Sequence, residues 1–123
     1  MESIDILRVA DLPDDAREVA MGKLFEELLL LSEQSQSEVL RPLIQEMAEK
    51  APDAQYHNLC LTNLKLAANL PDDQLSTFLG VRLGAGHALP SNLAERDKKL
   101  IAESLAQIDQ ETREKIMRNM PLL

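Results

Sequence analysis

The chain has 123 residues, 45% of them hydrophobic and 28% charged, with a formal net charge of −8. That length is one domain's worth, and the mix of apolar and charged residues excludes a disordered chain. An acidic surface releases no counterions from nucleic acid and is repelled by anionic lipid, so nucleic-acid and membrane partners are disfavoured.

The charge is uneven. Residues 1–69 carry 6 basic and 13 acidic side chains, and residues 70–123 carry 7 and 8. Aromatic residues are limited to Phe25, Tyr56 and Phe78, so the core must be built from leucine, alanine and methionine, a composition that favours helices over strands. The single Cys60 has no internal disulfide partner, which suits a reducing compartment. Met1 to Ala10 holds Glu2 and Asp5 and no apolar run, against a secretory signal. The expected location is cytoplasmic.

Six helices are expected, in chain order. The first spans about residues 13–32 and puts Ala20, Met21, Leu24, Phe25, Leu28 and Leu31 on one stripe. Val19 and Leu30 lie nearly opposite that stripe, and Leu29 lies near its edge. Four consecutive leucines cannot share one face, so this end is either buried on two sides or covered by another subunit. Ser35 and Glu38 have capping-box spacing and open a second helix to about Lys50. Pro42 implies that this helix starts nearer Arg41 or bends there. Pro52-Asp53 opens a third, to about Asn69, whose only formal charge beyond Asp53 is Lys65; being apolar nearly all round, it reads as the central element.

Pro71 opens the fourth helix, with Leu75, Phe78, Leu79 and Leu83, and Gly84 and Gly86 are expected to end it early. Ser91 or Asn92 caps the fifth, which carries Leu93, Ala94, Leu100, Ile101, Leu105 and Ile108 on one face. Asp109 caps the sixth, where Ile116 and Met120 are apolar and Arg113, Lys115 and Arg118 are basic. With no period-2 alternation and no hairpin dipeptide, the fold class is all-α.

These six elements form two similar three-helix units. Leu-Pro-Asp-Asp occurs at residues 12–15 and again at 70–73, and the same shift of 58 positions pairs Gly22 with Gly80, Leu31 with Leu89 and Ala48 with Ala106. A single domain with a possible internal repeat, 12–69 and 70–123, follows, arranged as a helical bundle or a short armadillo-like stack. The helices opened by Leu-Pro-acidic, and the segment from Glu111 to Pro121, resemble the helical superhelix domains of magnesium-transporter regulatory regions and flagellar rotor proteins. That resemblance spans two helices and brings no functional residue with it.

Candidate chemistry is sparse. His57 and Cys60 are three apart on one helix, but a zinc site needs three or four ligands, and the other histidine is His87. Gly84-Ala85-Gly86-His87 reads as a loop that turns the chain; it could cradle an anion, yet lacks the lysine and the preceding strand of a phosphate loop. Glu26, Glu27, Glu33 and Glu38 invite comparison with magnesium-dependent helical pyrophosphatases. Those enzymes present Glu-Glu-x-x-Glu, and Leu30 stands at the third carboxylate here.

No catalytic, cofactor-binding or metal-binding residue is therefore assigned, and no cofactor is expected. The sequence reads as a non-enzymatic interaction or regulatory domain binding a protein partner and self-associating as a dimer. Its candidate interface is Val19, Leu29, Leu30, Arg113, Lys115 and Arg118, with the basic residues free to dock on the acidic half of another copy. The alternative is a small-ligand or metal-dependent enzyme with a site shared between subunits.

Overall fold

Asp5, Pro13, Ser32, Pro52, Pro71, Pro90 and Asp109 each stand immediately before a helix in the computed structural model, which describes residues 4–121. Among the described residues there are seven helices: α1 (Ile6–Ala10), α2 (Asp14–Leu29), α3 (Glu33–Lys50), α4 (Asp53–Ala67), α5 (Asp72–His87), α6 (Ser91–Gln107) and α7 (Gln110–Arg118). No strand occurs among them. Met1, Glu2, Ser3, Leu122 and Leu123 lie outside the described residues, so Glu2 in the reading of the N-terminus is not located.

Proline presets φ, and aspartates in the following turn complement the positive end of the helix dipole: Asp14 and Asp15, Asp53, Asp72 and Asp73. Helices α2 and α5 start 58 residues apart, as do α3 and α6, which is the offset of the sequence repeat; α4 and α7 start 57 apart.

Four expectations are corrected. Helix α6 begins at Ser91 with Pro90 as its N-cap and no side-chain cap, so neither Ser91 nor Asn92 caps it. Helix α1 is an addition, opened by Asp5, whose carboxylate accepts from the Arg8 N–H; with only five residues it offers little periodicity, although Ile6, Val9 and Ala10 are buried. Helix α3 starts at Glu33 because Ser32, not Ser35, is its N-cap: the Ser32 hydroxyl accepts from the Ser35 N–H at 3.2 Å. It continues past Pro42, whose ring sits on the solvent side. Helix α5 runs through Gly84 and Gly86 to His87, so the glycines do not form a loop. The N–H groups of that stretch serve the helix rather than an anion cradle.

Helix α4 lies between α2 and α6; α3 packs on α5 and α6, and α1 touches α2, α3 and α4. The interior is filled from all sides by Met21, Leu24, Leu28, Ile44, Met47, Leu59 and Leu79, and the Phe25 and Phe78 rings join α2 to α5 with centroids 4.9 Å apart. Burying a leucine or isoleucine completely, as at Leu28, Leu75 and Ile116, stabilises by about 1.5–3 kcal/mol each.

Helices commonly end in a left-handed glycine that satisfies the last carbonyls, and no described residue has positive φ. Cations from neighbouring helices take over that task here. Arg96 of α6 donates to the Met47, Ala48 and Ala51 carbonyls at the end of α3. Arg113 of α7 donates to the Leu105, Ala106 and Ile108 carbonyls at the end of α6, and Lys115 to the Ala68 and Leu70 carbonyls after α4, both at 2.7 Å. The positive charge also opposes the negative end of each dipole. Arg113→Leu is expected to cost about 1–2 kcal/mol, from hydrogen bonds made by a charged donor, measurable as a lower urea midpoint with an unchanged m-value.

Candidate functional site: a buried ion pair and a surface groove

Two places in the fold gather polar chemistry. The first is inside. Asp97 of α6 is 3% exposed and points at Arg82 of α5, which grips it in a fork: Nη1 to Oδ2 at 2.9 Å and Nη2 to Oδ1 at 2.7 Å. The Tyr56 hydroxyl of α4 donates to Oδ1 of the same carboxylate, and the Arg96 guanidinium stacks over the Tyr56 ring. Gly86 makes the approach possible, because a Cβ there would collide with Asp97 Oδ2.

Burial alone would raise the Asp97 pKa; the Arg82 hydrogen bonds and charge, with the Tyr56 hydroxyl, outweigh it and hold the carboxyl below its usual range. Burial, then the neighbouring Asp97 charge, push the Tyr56 phenol up. Burial lowers the Arg82 pKa, but its bonds to Asp97 prevail and raise it. The Cys60 thiol is pushed up to about 11, chiefly by burial. A fully paired carboxylate is a poor base, and a protonated, buried thiol is a poor nucleophile. The cluster is a clamp joining α4, α5 and α6.

His57 and Cys60, set aside above as a metal pair, face different neighbours. His57 faces Glu103, Nε2 to Oε2 at 3.7 Å, while Cys60 is buried beside Ser104. Among the described residues no group of three or more His, Cys, Asp or Glu side chains forms a candidate metal cluster. No helix there is long and apolar enough to cross a membrane.

The second place is outside. Leu30 is 88% exposed, Val19 61% and Leu29 38%, so among the described residues Leu30 and Val19 are largely uncovered and Leu29 is partly covered; Met117 is exposed as well. Val19 and Leu30 share a helix face but stand three turns apart, with exposed Lys23 and Glu26 between them. Leu29 instead borders a groove of about 260 Å³ formed where α2 ends and α3 and α5 begin, lined also by Gln36, Asp73, Gln74, Thr77 and Phe78. Gln36 is 6% exposed; its Nε2 donates to the Leu31 carbonyl, and its Oε1 is buried without a partner.

The basic members of the expected interface each have partners among the described residues, Arg118 while remaining 60% exposed. Arg113 and Lys115 are held on carbonyls as described, and Arg118 faces Asp72 at 3.3 Å on the surface. The structure brings Leu29 and Leu30 to one end of α2 and places the three cations on α7, each engaged within its own chain. No protein-family model, curated protein or solved structure matches this chain.

Proposed function

We propose that the protein is a non-enzymatic helical interaction domain, and that its docking face is the groove at the end of α2. The observation that carries this reading is a groove bordered by Leu29 and closed on one side by Gln36, with the exposed Leu30 beside it. Asp73, Phe78 and Leu29 are in its lining, and Glu26 and Glu27 late in α2 and Glu33 at the start of α3 are exposed. The partner that fits is a basic amphipathic helix: leucine-like side chains against Leu29, Leu30 and Phe78, and Arg or Lys side chains reaching the carboxylates.

The second reading is self-association through the same face, favoured by the exposure of Leu30. Its basic contribution would come from Lys98 and Lys99, which are exposed on α6 and form no ion pair among the described residues. Arg113, Lys115 and Arg118 are already engaged.

Titration of the labelled protein with a designed Leu/Lys/Arg helix, and with its Leu/Glu counterpart, tests the proposal by amide chemical shifts. The basic peptide is expected to move Leu29, Leu30, Gln36, Asp73 and Thr77, and the acidic one to leave them in place. Leu30→Glu is expected to weaken binding about tenfold or more, through lost apolar burial, with stability changed by no more than about 0.5 kcal/mol because the site is exposed. Sedimentation equilibrium gives the other branch: a dimer that Leu30→Glu converts into a folded monomer assigns the face to a second copy. A monomer whose groove responds to neither peptide overturns the interaction reading.

A further inference from the structure

The centre of the bundle holds a cavity of about 80 Å³, partly open to solvent. Its accessible wall is almost wholly apolar, with Leu24 of α2, Leu64 of α4 and Leu79 of α5 among the lining. The Tyr56 hydroxyl and the Arg82 guanidinium, from two further lining residues, are taken by Asp97. Methionine is concentrated here: Met21, Met47 and Met120, three of the five in the chain, are in the lining. Met21 and Met47 are buried and Met120 is half-buried, whereas Met117 is exposed and stands outside the lining. Methionine is unbranched and polarizable and has three rotatable bonds, so a wall that contains it can give way to a guest and close around it.

We propose that this cavity takes the end of a short alkyl chain, inserted tail-first, so that the protein binds small amphiphiles by their hydrocarbon end and leaves the polar end in water. The apolar wall selects the tail. Water gains too few hydrogen bonds in such a hollow, whereas a hydrocarbon restores the dispersion contacts that the wall atoms lack. The opening to solvent sets the orientation. A polar end pushed inside would give up its hydration to an apolar wall, a cost that it avoids by staying at the opening. The volume sets the length. A dry cavity of roughly 150 Å³ takes up benzene, with its six carbons, so this one accommodates about three carbons as it stands. Rotation of the methionine side chains makes room for the next few.

Protein labelled at its methionine methyls reports binding directly, because Met21, Met47 and Met120 line the cavity and Met117 serves as the solvent control. 1-Butanol, 1-pentanol and 1-hexanol are expected to shift the three lining methyls saturably and to leave Met117 in place. Affinity is expected to rise about two- to fourfold with each added methylene, the gain from burying hydrocarbon. 1,6-Hexanediol has the same chain with a hydroxyl at both ends, and is expected to bind about tenfold or more weakly than 1-hexanol. Ala67→Val adds bulk to the lining and is expected to weaken 1-hexanol about tenfold, with Leu79→Phe as an independent filling variant should the first not fold. The proposal is overturned if 1-hexanol gives no saturable shift of the lining methyls, if affinity does not grow with chain length, or if the diol binds as well as 1-hexanol. A folded filling variant with wild-type affinity for 1-hexanol would place the guest elsewhere and overturn it too.

Discussion

Asp97→Ala is expected to lower the unfolding free energy by about 3–5 kcal/mol, the cost of leaving a buried charge without its partner. At this chain length that corresponds to a melting temperature lower by roughly 10–20 °C. Two groups lose their acceptor at once, the Arg82 guanidinium and the Tyr56 hydroxyl, and Arg82 is only 18% exposed at its side chain. The pair Arg82→Met with Asp97→Leu is expected to recover most of the loss, because removing both charges leaves only the neutral Tyr56 hydroxyl without its acceptor. If the double variant is as unstable as the single one, the cluster matters through shape and not through charge. The pH dependence follows from the lowered Asp97 pKa. A depressed carboxylate contributes stability that is present above its unfolded pKa, near 3.9, and lost as pH falls through the lower folded value. The gap between wild type and Asp97→Ala is therefore expected to hold from neutral pH down to about 4 and to narrow below it, as read from urea midpoints across that range.

Helix starts were legible in the sequence because their chemistry is local. Proline followed by aspartate opened three of the helices, and Asp109 capped α7 as its spacing with Thr112 allows. Periodicity placed Val19 and Leu30 off the core stripe and left two outcomes, a second buried side or an uncovered one; in the structure they are exposed. The buried clamp carried a signal that composition hid. Leu93, Asp97, Leu100 and Ser104 fall on one face of α6, and Leu75, Leu79, Arg82 and Gly86 on one face of α5. An acid and a base on two core-facing stripes of consecutive helices call for each other, because neither is stable in an apolar interior alone. The roles of Arg113 and Lys115 were not legible in the same way. Their acceptors are backbone carbonyls of other helices, which leave no mark in side-chain pattern.

Gly84→Ala and Gly86→Ala, two residues apart in one helix, are expected to change stability in opposite directions. Glycine in a helix interior costs about 0.5–1 kcal/mol relative to alanine through backbone entropy. At Gly84 an added Cβ meets no atom within 4 Å, so the substitution should return that amount as a gain. At Gly86 the same methyl would strike Asp97 Oδ2, with Arg82 Nη1 at 3.1 Å and Asp97 Cγ at 3.3 Å behind it. A free carboxylate would swing away at little cost. This one is held by both Arg82 nitrogens and by Tyr56, and it sits 3% exposed between two helices. Moving it breaks charge-assisted bonds or forces α5 from α6, so the expected net loss is about 1–3 kcal/mol. The two variants have the same composition and helix propensity, so a difference between their melting curves isolates the packing of Asp97 against the α5 backbone. Equal stability in both would mean that Asp97 has room to retreat and that Gly86 is not what admits the ion pair. A glycine read from sequence as the end of a helix thus acts inside one, where its missing side chain is the space that the carboxylate occupies.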